Sequence, residues 1–359
     1  NFNYFFANGA YDPKLWVQLA DVSGSLKNIG AAYATDAFDA YFEGKKLEDG
    51  GDLKVLKVKG KLTWYASNAF NTFYKGIRFD TSGTLKALGY GYAKDSFDSF
   101  FEGEKLEDSN GNLRITKCGY AYDSFNVYYG RRKLERVTGK IKCAGGGYAV
   151  DEGDNKFYKG EQIESSVAHF NKKQLKHIGG GYAVSGNEAF YHGKKFENAG
   201  PGRKASGLKV LKGPHGKFSN WAKSKLGVVF YKGKEMSNLM GQNVELLGNG
   251  WVKAAHQTFY KGVQKRVVGS ITVHGNDYAT DQMDAYYKGE KMNLMGQASS
   301  FKVLGGDYAG SQSFAFYKGE KINGCTNPEK VLGKGYLKCF AKVFYNGESI
   351  QTCMNPKSL

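Results

Sequence analysis

Lysine is the charged residue that recurs most regularly. Lys75, Lys159, Lys232, Lys261, Lys288 and Lys318 each stand between an aromatic residue and a glycine, and Lys46, Lys105, Lys133, Lys195, Lys291 and Lys321 follow just beyond that glycine. Set in register, these side chains would form a cationic ladder able to hold anionic polysaccharide, nucleic acid or a membrane surface. Aromatic neighbours would stack on sugars or bases. The competing reading is a solvated face whose lysines protect sheet edges. Glu104, Glu161, Glu290 and Glu320 interleave with the lysines. They weaken the nucleic-acid reading and suit ion pairs between units. No basic-region or RNA-binding signature points to a specific nucleic acid.

Acidic and amide groups also recur, three residues apart: Asp36/Asp39, Asn68/Asn71, Asp95/Asp98, Asp123/Asn126, Asp151/Asp154 and Asp281/Asp284. A calcium ion takes about six to eight oxygens, more than two side chains per loop provide. The pattern instead predicts Asx-turns, in which the carboxylate accepts a nearby backbone N–H. The histidines (His169, His177, His192, His215, His256, His274) are scattered, with no zinc-helix spacing. Neither Gly-x-Ser-x-Gly nor a P-loop occurs. The glycine runs at 145–147 and 179–181 precede strand-like segments rather than helices, so they read as close approaches or bulges. The reading is therefore non-enzymatic, with no cofactor and no metal.

Cysteine placement is more informative. Cys118 and Cys143 fall at equivalent places just before Gly-Tyr or Gly-Gly-Gly-Tyr, and Cys325 and Cys353 open matching Cys-x-Asn-Pro segments. Stacked strands lie about 4.8 Å apart, and a disulfide spans roughly 4.4–6.8 Å between Cα atoms. The spacing predicts two staples between units, Cys118–Cys143 and Cys325–Cys353. Cys339 is left over, buried or available to another chain. The alternative is five buried thiols.

The element that must position all of these groups is an internal repeat. Its pattern is Gly-Tyr-Ala-x-Asp, a short gap, two aromatics, x-Gly-x-Lys and an aliphatic residue, as in 91–106 and 276–292. Eleven units follow one another, with leading aromatics from Tyr33 to Tyr336, and a half-unit, 4–9, opens the chain. The leading aromatic precedes the pair by eight residues in nine units and by nine in two. Alternating runs such as Leu-Lys-Val-Leu at 53–56, 208–211 and 301–304 read as half-buried strands. The x-Gly after the aromatic pair reads as a two-residue hairpin turn, Asn346-Gly347 being the strongest example. No sustained helical period occurs. The fold expected is all-β: tandem antiparallel meanders of about 30 residues, arranged like a β-propeller or as an open β-solenoid.

Residues 91–106, 119–134, 276–292 and 306–322 resemble the DKNYY repeat family, whose consensus is similar to Val-Leu-Gly-x-Gly-Tyr-Ala-x-Asp, an aromatic pair and x-Gly-x-Lys-Ile. The resemblance covers nearly all of the chain. It departs at the Asp, which is Asn68, Ser185, Ser224, Ala254, Ser311 or Cys339 in six units. It implies a secreted or surface protein, mostly bacterial, of uncharacterised activity, and brings no catalytic residues.

Composition sets the outer bounds. The chain has 359 residues and a formal net charge of +17, with 49 Gly, 25 Tyr, 24 Phe and only 5 Pro. That aromatic content fills a core, which excludes wholesale disorder. Glycine never falls every third residue, which excludes collagen, and no apolar run approaches the ~18 residues of a membrane span. The chain opens at Asn1 without a basic-then-apolar leader, which suits either a removed leader or a truncated chain. The organisation expected is a lead-in at 1–32, repeats 1–6 at 33–200 and repeats 7–11 at 201–359, with a break near 200–215 or one continuous array. The function expected is an extracellular structural protein that self-assembles into a filament, sheath or surface layer. Phe2, Tyr4, Phe5 and Phe6 would form the assembly segment that donates a strand to a neighbour, with Cys339 assisting. The alternative is a secreted adhesin or lectin for anionic glycans.

Overall fold

A computed structural model of the chain describes residues 5–7, 16–18, 22–164, 175–199, 201–292, 294, 298–333, 335–340 and 342–350, the first two stretches as backbone. Each repeat becomes a four-stranded antiparallel sheet whose strands follow chain order, and there are eleven such sheets, none closed into a barrel. Repeat 3 is representative, with strands Lys86–Gly89, Tyr92–Lys94, Ser99–Phe101 and Glu104–Lys105. Helix is confined to 3₁₀ turns at Pro214–Gly216, Ser237–Leu239 and Ala298–Ser300 among the described residues. Among the described residues, no helix is long and apolar enough to cross a membrane.

The register explains the eight-residue spacing. The leading aromatic and the second member of the pair are cross-strand partners, as in Tyr92 opposite Phe101, Tyr278 opposite Tyr287 and Tyr308 opposite Tyr317. Their ring centroids lie 4.8–4.9 Å apart, within the distance at which tilted rings attract. The alanine after the leading aromatic faces the first member of the pair, as Ala93 faces Phe100. Strand pleat sends these two layers to opposite sides of the sheet.

Both sides are buried, each against a different neighbour. Tyr92 clusters with Leu106, Leu113 and with Ala121 and Tyr128 of repeat 4. Ala93 and Phe100 cluster instead with Tyr65 and Tyr74 of repeat 2. The core is therefore a series of interfaces between successive repeats, and burial of each ring contributes about 1.5–3 kcal/mol there. A single repeat has no core of its own.

The leading tyrosine adds a directional tie. The Tyr65 hydroxyl donates to the carbonyl of Gly91 at 2.7 Å and accepts the N–H of Gly103 at 3.1 Å. Both partners belong to the next repeat. The same bridge runs from Tyr33 to Trp64 and Gly76, from Tyr120 to Gly147 and Gly160, from Tyr278 to Asp307 and Gly319, and from Tyr308 to Gly335 and Gly347. Tyr92 faces repeat 4, where the turn is Gly130-Arg131, and its buried hydroxyl finds no well-formed partner there. The glycine has moved to the first turn position in that repeat, with φ 62°.

By its internal packing the chain divides into two compact units, residues 1–177 with 183–196, and residues 178–182 with 197–359. Both are built from the same repeat. At the start of the chain, Phe5–Ala7 pairs antiparallel with Trp16–Gln18.

Candidate binding surface

The expected two-residue turn is present, and it determines how lysine is displayed. Lys75, Lys159, Lys232, Lys261, Lys288 and Lys318 take φ between 46° and 50°, followed by glycines with φ between 76° and 85°. Two successive positive φ values define the hairpin turn that matches strand twist. Asn or Gly holds the first position at least cost, and Asn346 does so in repeat 11 with φ 50°. A lysine there carries roughly 1–2 kcal/mol of backbone strain. The second position admits only glycine for a further reason. A Cβ at Gly319 would stand 2.6 Å from the Tyr287 ring of the preceding repeat, and one at Gly76 would stand 2.7 Å from Phe42.

The turn folds each lysine back over its own aromatic neighbour. The ammonium groups of Lys75, Lys159, Lys232, Lys261, Lys288 and Lys318 lie 5.1–5.6 Å from the ring centroids of Tyr74, Tyr158, Tyr231, Tyr260, Tyr287 and Tyr317. Each contact contributes about 0.5–1 kcal/mol at an exposed site. All six lysines are exposed. The Tyr317 hydroxyl holds the Lys318 ammonium above its ordinary pKa, and Tyr260 does the same for Lys261.

The second row of lysines behaves differently. Lys46, Lys105 and Lys291 reach back 2.7–2.8 Å to Asp39, Asp98 and Asp284 of the same repeat. Lys133 pairs with Asp108 and Lys195 with Glu188. The interleaved glutamates form ties between repeats: Glu104 with Arg131, Glu161 with Arg132 and Glu290 with Lys265. Carboxylates thus pair with five of the six lysines beyond the glycine, while the Lys321 ammonium lies 4.0 Å from the Phe314 ring centroid. Among the described residues, none of the six lysines before the glycine has a carboxylate at ion-pair distance. The row before the glycine is lysine without interruption in repeats 7 to 10, whereas Glu43 and Glu102 hold that position in repeats 1 and 3.

The acidic turns are Asx-turns. Asp95 Oδ1 accepts the N–H of Phe97 at 2.8 Å and of Asp98 at 2.7 Å, while Oδ2 accepts the N–H of Ser82 at 2.7 Å. Asp36 and Asp281 repeat this arrangement with Ser23 and Val268. Burial raises the pKa of these carboxyls, but the converging N–H donors outweigh it and hold all three below the ordinary range. Their acceptor capacity is committed to backbone N–H groups and, in Asp36 and Asp281, also to the hydroxyls of Tyr41 and Tyr286. The turns also project side chains that sequence reasoning passed over. Phe38, Phe70, Phe97 and Phe125 sit at successive turn tips, from 67% to 91% exposed. The signal was present as an aromatic two residues after each Asx.

The cysteines require one correction. Cys118 and Cys143 are joined, with Cα atoms 5.8 Å apart, as a staple between repeats 4 and 5. Cys325, however, is joined to Cys339 at a Cα separation of 5.4 Å, not to Cys353, which lies outside the described residues. Cys339 is therefore not a leftover thiol. The physical reason is visible in the other repeats, where the residue at the Asp position is tied to the linker thirteen residues upstream, as Asp95 is to Ser82 and Asp281 to Val268. Cys339 occupies that Asp position and Cys325 sits in the corresponding linker. A disulfide replaces the hydrogen bond.

The assembly segment also changes character. Phe5 and Phe6 belong to a strand already paired with Trp16–Gln18, so the opening forms a hairpin instead of a lone donor strand. Phe2 and Tyr4 lie outside the described residues. No family model, no curated protein and no solved structure matches this chain.

Proposed function

We propose that the protein is an extracellular binding protein for anionic polysaccharide, engaged along the row of lysines seated on tyrosine rings. One observation carries this reading. In four consecutive repeats, Lys232, Lys261, Lys288 and Lys318 each present an exposed ammonium with an aromatic ring beneath it and no carboxylate partner. A linear polyanion meets such a row many times, so weak single contacts add as avidity. Six strained lysine turns where asparagine would cost less support a use for the charge. Two disulfides suit an oxidising compartment, and the resemblance to DKNYY repeats suits the same location. Self-assembly into a filament is the weaker reading, because Phe5, Phe6 and Cys339 have partners within the chain.

The test is binding to immobilised heparin and polygalacturonate across a salt series, with neutral dextran as control. Changing Lys232, Lys261, Lys288 and Lys318 together to Gln removes about 0.2–1 kcal/mol per site. Affinity should fall between about four-fold and nearly a thousand-fold, and the salt dependence should flatten. Undiminished binding by the quadruple variant, or equal binding to dextran, would overturn the reading.

A further inference from the structure

The tyrosine bridge is interrupted at one place for a chemical reason. Repeats 7 and 8 lead with Trp221 and Trp251 instead of tyrosine, so no hydroxyl reaches the glycines of the next turns, Gly262 and Gly289. Both indoles are buried, at 3% and 1% exposure. The Trp251 Nε1–H has no hydrogen-bond partner. An unsatisfied buried donor costs about 1–3 kcal/mol, so the exchange of hydroxyl for indole weakens the tie between repeats 8 and 9.

A cleft of about 710 Å³ opens at this interruption, with Trp251 in its wall. The long segment between the first two strands of repeat 7 forms one side. It turns through Pro214–Gly216, with His215 at φ 62°, and is closed by the Gly213 N–H donating to the Lys217 carbonyl at 2.9 Å. Lys217, Lys232 and Lys261 line the cleft together with His215, Asn249 and Phe218, and no Asp or Glu does. The volume falls within the usual range for small ligands, roughly 300–1,000 Å³, and far exceeds a single phosphate or sulfate.

We propose that this cleft is a discrete subsite for a short anionic oligosaccharide, a sulfated or uronate disaccharide. The proposal deepens the polysaccharide reading above and rests on it. Lys232 and Lys261 take the acidic groups, and the half-exposed Phe218 ring offers an apolar face. The repeats with tyrosine bridges would contribute only to longer chains.

The probes are a trisulfated heparin disaccharide and full-length heparin, followed by calorimetry and tryptophan fluorescence. The disaccharide should bind at one site per chain and change tryptophan emission. Lys232→Gln with Lys261→Gln should weaken it at least tenfold, while Lys288→Gln with Lys318→Gln should leave it within twofold. Heparin binding without disaccharide binding would end the subsite and leave the polymer reading intact. Failure of both probes would end both. Equal losses from the two lysine pairs would also overturn the subsite, because they would mark diffuse charge attraction.

Discussion

A tyrosine hydroxyl that joins two repeats can be removed without disturbing the ring that carries it. Tyr278 is fully buried; its hydroxyl donates to Asp307 at 2.9 Å and accepts the Gly319 N–H at 3.0 Å. Tyr278→Phe leaves the Gly319 N–H without this acceptor between repeats 9 and 10, while the Asp307 carbonyl keeps only the Lys318 N–H. The expected cost is about 1–3 kcal/mol, read as a lower urea midpoint with unchanged m-value. A cost under about 0.5 kcal/mol would show that the bridge is incidental. These hydroxyls also give the protein an alkaline limit. Burial is the largest influence on Tyr33 and pushes its pKa up to about 12, while Tyr65, Tyr120 and Tyr278 are raised as well. A group raised in the folded state stabilises fully below its unfolded pKa, near 10, and loses that contribution as pH climbs toward the folded value. Unfolding above about pH 10 should therefore coincide with a cooperative step in tyrosinate absorbance from these buried rings, and ionisation of the full tyrosine complement with intact circular dichroism would contradict it.

At the scale of the element, the Asx-turn decides both acid stability and the disulfide. Asp281 accepts from Met283, Asp284, Val268 and the Tyr286 hydroxyl, and its pKa is lowered despite burial. A depressed folded pKa stabilises above the unfolded value, near 4, and that stability disappears as pH falls through the folded value. Asp281→Asn should cost about 1 kcal/mol at neutral pH, and the gap from wild type should close below about pH 4. A gap independent of pH would rule out the charged acceptor. Asn68 shows why asparagine works elsewhere: its Nδ2 donates to the carbonyls of Asp49 and Gly51, whereas the linker before Asp281 offers an N–H. The same turn geometry places Cys339 against Cys325. Thiol labelling of the unfolded, unreduced protein should modify Cys353 alone, and reduction should expose the other four. Label on Cys339 before reduction would disprove the pairing. Reducing both bridges should remove roughly 2–5 kcal/mol for each if the entropy of the unfolded chain governs.

For the whole molecule, stability comes from interfaces between neighbours. Every apolar cluster joins consecutive repeats, as Tyr92 joins Ala121 and Tyr278 joins Ala309. A lesion in one repeat should therefore be felt mainly by the repeats on either side. Much of the +17 charge stands on the turns of this array. The carboxylates that offset it lie on the row beyond each glycine, where Asp39, Asp98 and Asp284 hold Lys46, Lys105 and Lys291. The surface left to an anionic partner is narrower than composition implies, but less compensated.

Some of this protein was determined by sequence alone. The eleven aromatic pairs, their fixed distance from the leading aromatic and the glycine after them fixed repeat number, strand pairing and turn type, because those properties depend on residues close along the chain. The Cys118–Cys143 staple was legible for the same reason, since it joins equivalent positions in adjacent repeats. What lay beyond the sequence depends on how one repeat meets the next. Nothing local reveals that Tyr65 reaches Gly91 and Gly103, that Cys339 stands in for an aspartate facing its linker, or that carboxylates pair with five of the six lysines beyond the glycine and with none of the six before it. The cleft at Trp251 is the sharpest case. Two tryptophans in a tyrosine series read as simple aromatic replacements, and only packing shows that exchanging a hydroxyl for an indole leaves a bridge unmade and a buried donor without a partner.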